Sequence, residues 1–178
     1  MSNLKELTWE HHKNAERQAF VKEMFAKSPQ ISPERYSTYL FNQHPQYNML
    51  EMLSMLHGIF DGMPELRRAP RIHEDYQELW GKTNPNQPPL MPVVKEYMDY
   101  LMTIEDDPKK LMAHVYVRHM GDLSGGQMIA KRVPGEGRMY KFDKGHDELK
   151  ELVRAKLNDS MADEAKLCFD FATKMFVQ

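Results

Sequence analysis

Gly121-Asp122-Leu123-Ser124-Gly125-Gly126-Gln127 is the stretch on which the reading of this chain turns. Helix-forming residues lie on both sides of it, from Lys109 to Met120 before and in Gln127-Met128-Ile129-Ala130-Lys131 after. Each glycine inside a helix costs about 1 kcal/mol relative to alanine. Two arrangements accommodate three of them. The helix breaks into a loop here, or it continues, kinked, with a bare backbone that something flat can approach closely. Helix formers resume at Gln127, which favours the continuous helix, with one carboxylate, Asp122, beside the exposed backbone.

Outward from this segment the punctuation reads as helices joined by short connections. Asn3 and Glu6 have the spacing of a capping box, and a first helix is expected to run on to about Lys27. Ser28-Pro29-Gln30-Ile31 interrupts it. Ser32 and Pro33 open a second helix to about Gly58 or Gly62, with Pro45 inside it. Further helices are expected over Glu65–Trp80, Pro92–Ile104 and Lys109–Lys131, the last started by Asp107-Pro108. Gly81–Pro89 and Val133–Gly137 read as loops. The final pair runs from Asp147 to Leu157 and from a Ser160 cap to the end.

Composition agrees with an all-α fold and narrows the function. Val and Ile together supply only 13 of the 178 residues, few for a β-sheet, whereas Met supplies 15 and suits helices and irregular apolar pockets. At this length one helical domain spanning 1–178 is expected. Lys and Arg number 24 against 26 Asp and Glu, a balance that argues against a nucleic-acid partner. No apolar run approaches the roughly 20 residues of a membrane span, and the N-terminus lacks a signal-peptide core, so a cytoplasmic address is expected. The lone cysteine, Cys168, leaves no internal disulfide and no cysteine zinc cluster.

Two clusters beside the glycine segment carry chemistry. In Glu10-His11-His12-Lys13-Asn14-Ala15-Glu16, His12 and Glu16 share a helix face, and His11 is turned about 100° away. A di-iron carboxylate bundle needs Glu-x-x-His on two helices, and no Glu here has a His three residues later. A single histidine facing a glycine-rich backbone suggests haem, held by a neutral imidazole with an open distal site. A surface or core histidine remains the simpler alternative. Lys150 and Arg154, one turn apart, either form a solvated basic face or grip carboxylates.

Taken together these segments resemble the haem oxygenase family. His114-Val115-Tyr116-Val117-Arg118-His119-Met120 followed by Gly121–Gln127 resembles the family's distal-helix motif, and His12-x-x-Ala15-Glu16 its proximal-histidine motif. Tyr47-Asn48-Met49-Leu50-Glu51 and Leu149-Lys150-x-Leu152-x-Arg154 resemble two further family segments in the right order. The resemblance runs from Lys5 to Phe169. It implies a helical bundle in which haem is sandwiched between a proximal helix and a kinked distal one. It also implies oxidative cleavage of haem, which is both cofactor and substrate, to biliverdin (commonly the α isomer), CO and ferrous iron.

By the same resemblance His12 is the axial iron ligand, and Glu16 orients it. Gly121 and Gly125 let the distal helix lie over the ring, so steric confinement directs bound O2 to one meso carbon. Asp122 positions a water network that delivers a proton, and Arg118 and Tyr47 belong to its hydrogen-bond network. Lys5, Tyr116, Lys150 and Arg154 hold the propionates, and Ser124, Gly126 and Phe169 complete the haem contacts. The resemblance is to soluble microbial members, which take electrons from ferredoxin or a flavin reductase. An acidic donor is expected to dock near Lys131, Arg132, Arg138, Lys141 and Lys150. Three departures from the family pattern are Val117 for threonine, His119 for an aromatic residue, and Ala172 for asparagine. The competing readings are a haem carrier without turnover and a non-haem enzyme of the same architecture. A carrier would need His12 and the propionate clamp but neither Asp122 nor the bare glycine helix.

Overall fold

Ser32 opens the long helix α4 as its sequence requires. The Ser32 side chain accepts from the Arg35 N–H at 3.1 Å, Pro33 fills the first turn, and the helix runs Pro33–Met55 through Pro45. The computed structural model describes residues 2–80 and 86–176, and among these every regular element is a helix. The others are α1 (Leu4–Leu7), α2 (Trp9–Glu16), α3 (Ala19–Phe25), α5 (Ala69–Leu79), α6 (Pro92–Thr103), α7 (Pro108–Ala130), α8 (His146–Arg154) and α9 (Ala162–Phe176). Short 3-10 turns lie at Pro64–Leu66, Arg138–Tyr140 and Asp159–Met161.

The expected first helix is in fact three. The Asn3 side chain makes no cap; its backbone N–H donates to Asp159 at 2.6 Å, taking the bond that Glu6 would have made in a capping box. The Thr8 hydroxyl then donates back to the Leu4 carbonyl at 2.8 Å, and Thr8 closes α1. Gln18 is extended, which separates α2 from α3. The helix expected from Glu65 begins only at Ala69, because Arg67 is extended after the Pro64–Leu66 turn. Before α9 the cap is Asn158, which accepts from Ser160 N–H at 3.1 Å, and not Ser160. The loop expected over 81–89 and the chain end fall partly outside the described residues.

Helix α7 has its expected start, the Asp107 side chain accepting from Lys110 N–H at 3.1 Å, and it passes unbroken through Gly121, Gly125 and Gly126. It packs against α4, α8 and α9; α2 lies on α9, and α5 and α6 lie on α4. Two apolar clusters hold this arrangement. One gathers Leu50, Tyr97, Leu101, Leu111, Val115, Leu149, Val153, Ala165 and Cys168; the other gathers Met24, Ile31, Tyr36, Leu40, Ile72, Ile129 and Met139. A fully buried Leu or Ile contributes about 1.5–3 kcal/mol, so these layers fix the position of α7. Between α7 and the short N-terminal helices a cleft is left open.

Candidate active site

The cleft has a volume of about 1070 Å³ and two unlike walls. Gly121, Ser124 and Gly125 of α7 form one, with Tyr47, Arg118 and Asp122 set into it. Lys5, His12, Ala15 and Glu16 form the other, backed by Phe169 and Ala172 of α9. A Cβ built on Gly121 would meet nothing within 4 Å, and one on Gly125 would come no closer than 3.6 Å, to Phe25. A strip of α7 backbone is therefore open to the cleft.

His12 Nε2 lies 2.8 Å from Glu16 Oε1, and its ring stacks on Phe169 at 5.3 Å and 20°. His11 turns the other way, its Nδ1 2.8 Å from Asp170 Oδ1, and does not line the cleft. Phase along α2 thus brings His12, and not its neighbour, to the site.

The opposite wall is a buried polar network. The Tyr47 hydroxyl donates to Asp122 Oδ2 at 2.8 Å. Arg118, 6% exposed, donates to Gln46 Oε1 at 2.7 Å, Gln43 Oε1 at 3.2 Å and the Tyr97 hydroxyl at 3.2 Å, with its guanidinium 4.3 Å over the Tyr97 ring. Desolvation raises the Asp122 carboxyl to about 7, against the pull of His119, Tyr47, Arg68 and Arg118. A carboxyl poised there can hold or release a proton near neutral pH. Burial pushes the Tyr47 phenol well up, so it remains a donor.

The family described as "Heme oxygenase" matches residues 1–177. The chain belongs to the haem oxygenase family. Among its relatives, "Heme oxygenase 2" of Synechocystis is 34% identical over 90% of this chain and 71% of that protein. "Heme oxygenase 2" of Macaca fascicularis is 29% identical over 97% of this chain, which spans 63% of that protein's length. The solved structure of haem oxygenase-1 from Synechocystis in complex with haem superposes with a TM-score of 0.83 at 26% identity, covering 97% of this chain and 88% of that one. Haem oxygenase from Leptospira interrogans gives 0.83 at 28% identity, covering 97% and 96%.

Within this haem oxygenase fold most of the residues marked by sequence line one cleft: Lys5, His12, Glu16, Tyr47, Tyr116, Arg118, Gly121, Asp122, Ser124, Gly125, Arg154 and Phe169. Two lie apart from it. Gly126 faces the protein interior, where an added Cβ would stand 3.0 Å from the Tyr140 ring, so it serves close packing. Lys150 sits half-buried one turn back along α8, away from the cleft, and Arg154 at the helix end is bonded to Glu151 at 2.6 Å. The sequence analysis gave no role to Gln43, which lines the cleft, or to Gln46, Arg68 and Tyr97 beneath the wall, and it quoted Glu51 only as part of a family segment. Gln43, Gln46 and Tyr47 share one face of α4 by spacing, which was the available signal.

Proposed function

We propose that this chain, as one haem oxygenase-like domain over 1–178, cleaves haem oxidatively to biliverdin, CO and ferrous iron, with O2 and electrons from a ferredoxin or another donor. The observation that carries the reading is the pairing of walls: a histidine on one side, and on the other an open glycine backbone with a buried carboxyl that titrates near neutrality. The residues present fit a flat, largely apolar dianion. The glycine strip leaves room for a ring face, Phe169 and Val117 are apolar, and Lys5 and Arg154 are cations on the cleft lining. Haem supplies the iron at which O2 is reduced and the ring that is oxidised.

His12 would hold the iron as a neutral imidazole. Its Nε2 now faces Glu16, so Glu16 either yields that nitrogen or keeps the ring oriented through the other. The backbone from Gly121 to Gly125 would seat the opposite ring face and limit which meso carbon is reached; the α isomer is the family's common outcome. Asp122, held by Tyr47, would keep and return a proton on the distal side. Lys5, Tyr116 and Arg154 would steer the propionates, with Lys150 a longer-range cation.

Among the described residues no helix is long and apolar enough to cross a membrane, and a cytoplasmic location belongs to the same reading. For an acidic electron donor the dock narrows to Lys131 and Lys150, with Lys141 more loosely paired, to Glu136 at 3.9 Å. Arg138 is pinned by Glu78 at 2.7 Å and Asp75 at 3.2 Å, and Arg132 is bonded to the Phe25 carbonyl.

The test is an absorption time course of the protein with one equivalent of hemin, followed by a reductant in air. Loss of the Soret band with growth of a broad red biliverdin band is expected. A Soret band that shifts on binding but survives reduction would make the protein a haem carrier. No spectral change on adding hemin would remove haem from the account.

A further inference from the structure

His119 is wholly buried in α7, three residues before Asp122, and each of its ring nitrogens faces an oxygen. Nδ1 lies 3.1 Å from the Val115 carbonyl and Nε2 2.8 Å from Glu51 Oε2. A carbonyl has no proton to give. The Glu51 carboxylate already accepts from the backbone N–H groups of Arg68 at 2.6 Å and Ala69 at 3.1 Å, and Arg67 Nε stands 3.3 Å away. Burial alone would raise Glu51; the bonds from His119 and from these backbone groups reverse that and hold it below the usual carboxylate range. The ring is thus held from both sides by oxygens, one from its own helix and one from α4. Its edge meets Tyr47 at 5.2 Å and 67° and Phe60 at 5.5 Å and 65°.

We propose that the buried Glu51–His119 pair is a positioning device for the distal site, its ring packed edge-on against Tyr47 and fixing the hydroxyl that holds Asp122. The inference rests on the reading of Asp122 as the proton-handling carboxylate. The other groups that act on Asp122 come from every neighbouring element: Tyr36, Tyr39 and Tyr47 of α4, Arg68 before α5, Arg118 of α7, and Tyr140 of the Arg138–Tyr140 turn. The phenols are raised by burial and stay neutral near pH 7. Of the groups opposing the desolvation of Asp122, His119 acts most strongly.

His119→Phe deletes the partner of Glu51 while keeping a ring against Tyr47 and Phe60. Because it strands the Glu51 carboxylate, the double variant Glu51→Gln/His119→Phe is made beside it. The Asp122 carboxyl is followed by infrared difference titration of the haem-free protein, its band assigned by its loss in Asp122→Asn. The midpoint is expected to rise by about one pH unit in each folded variant, and the pH profile of haem turnover to move the same way. An unmoved midpoint in a folded variant overturns the proposal, even if the parent protein degrades haem. A raised midpoint in a protein that leaves hemin intact upholds the pair's effect on Asp122 and sinks the oxygenase reading alone.

Discussion

Two histidine–glutamate pairs are held at the same distance, one on the cleft lining and one buried behind the opposite wall. His12 and Glu16 on α2 are 2.8 Å apart, and so are His119 and Glu51 between α7 and α4. The first pair is 33% and 59% exposed; both side chains of the second are fully buried. Water screens the first and leaves His12 free to change partner, as a ligand must. The second has no solvent to fall back on and is locked in place by hydrogen bonds. The contrast extends to the walls they serve. The proximal one is assembled from short helices, whereas the distal one is a single 23-residue helix carrying an enclosed polar network. Adaptability sits where the iron would be held, and rigidity where protons would be handled.

The sharpest way to break this division is at Asp122. Asp122→Ala is expected to bind hemin through His12 yet lose about 100- to 10,000-fold in biliverdin formation; near-normal turnover would remove the distal wall's proton role. Asp122→Asn probes the same carboxyl without haem. Folding raises this group from 3.8 to about 7, so its ionisation destabilises the folded chain fully above pH 7 and not at all below about pH 4. The asparagine variant should therefore melt several degrees higher than the parent at pH 8, with the gap closing by pH 4. A gap independent of pH would show that Asp122 is not desolvated.

Next in size is the comparison of the glutamates. Glu51→Ala removes the partner of His119 and the cap that Glu51 provides to the Arg68 and Ala69 N–H groups at the start of α5. It should cost about 3–5 kcal/mol in urea unfolding. Glu16→Ala should cost less than about 1 kcal/mol in the same assay, while weakening hemin binding about tenfold. Equal losses of stability from the two variants would mean that burial does not separate the pairs.

Legibility in the sequence follows the range of the interactions. The Ser32 and Asp107 caps, the α4 and α7 spans and the cleft face of α7 are set by neighbours a few residues apart. The phase that separates His12 from His11 is equally local. The split of the first helix was not legible, because the group that takes the Asn3 N–H is Asp159, 156 residues away. Nor was the Glu51–His119 pair, whose members are 68 residues apart and meet only when α4 packs on α7. Position 119 stood out as a departure from the family pattern, but a lone helical histidine has no partner in sequence. Lys150 and Arg154 share a helix face, and the end of α8 at Arg154 decides which of them reaches the cleft.

The glycines divide the distal helix itself. Gly121 and Gly125 are four apart and share a face, while Gly126 lies about 100° round from Gly125, on the face of Asp122. Gly126→Ala would put its Cβ 3.0 and 3.1 Å from Tyr140 atoms, so Tyr140 must give way, at about 1–3 kcal/mol. Gly121→Ala meets nothing within 4 Å and gains helix propensity, so the haem-free protein should become about 0.5–1 kcal/mol more stable. Its new methyl group would project where the ring is proposed to lie, and hemin binding should weaken in the same variant. Thermal melts with and without hemin read both quantities. If Gly121→Ala is stabilised and its hemin binding is unchanged, the open backbone at Gly121 is not a haem seat, and the flat ligand must rest further along, against Ser124 and Gly125.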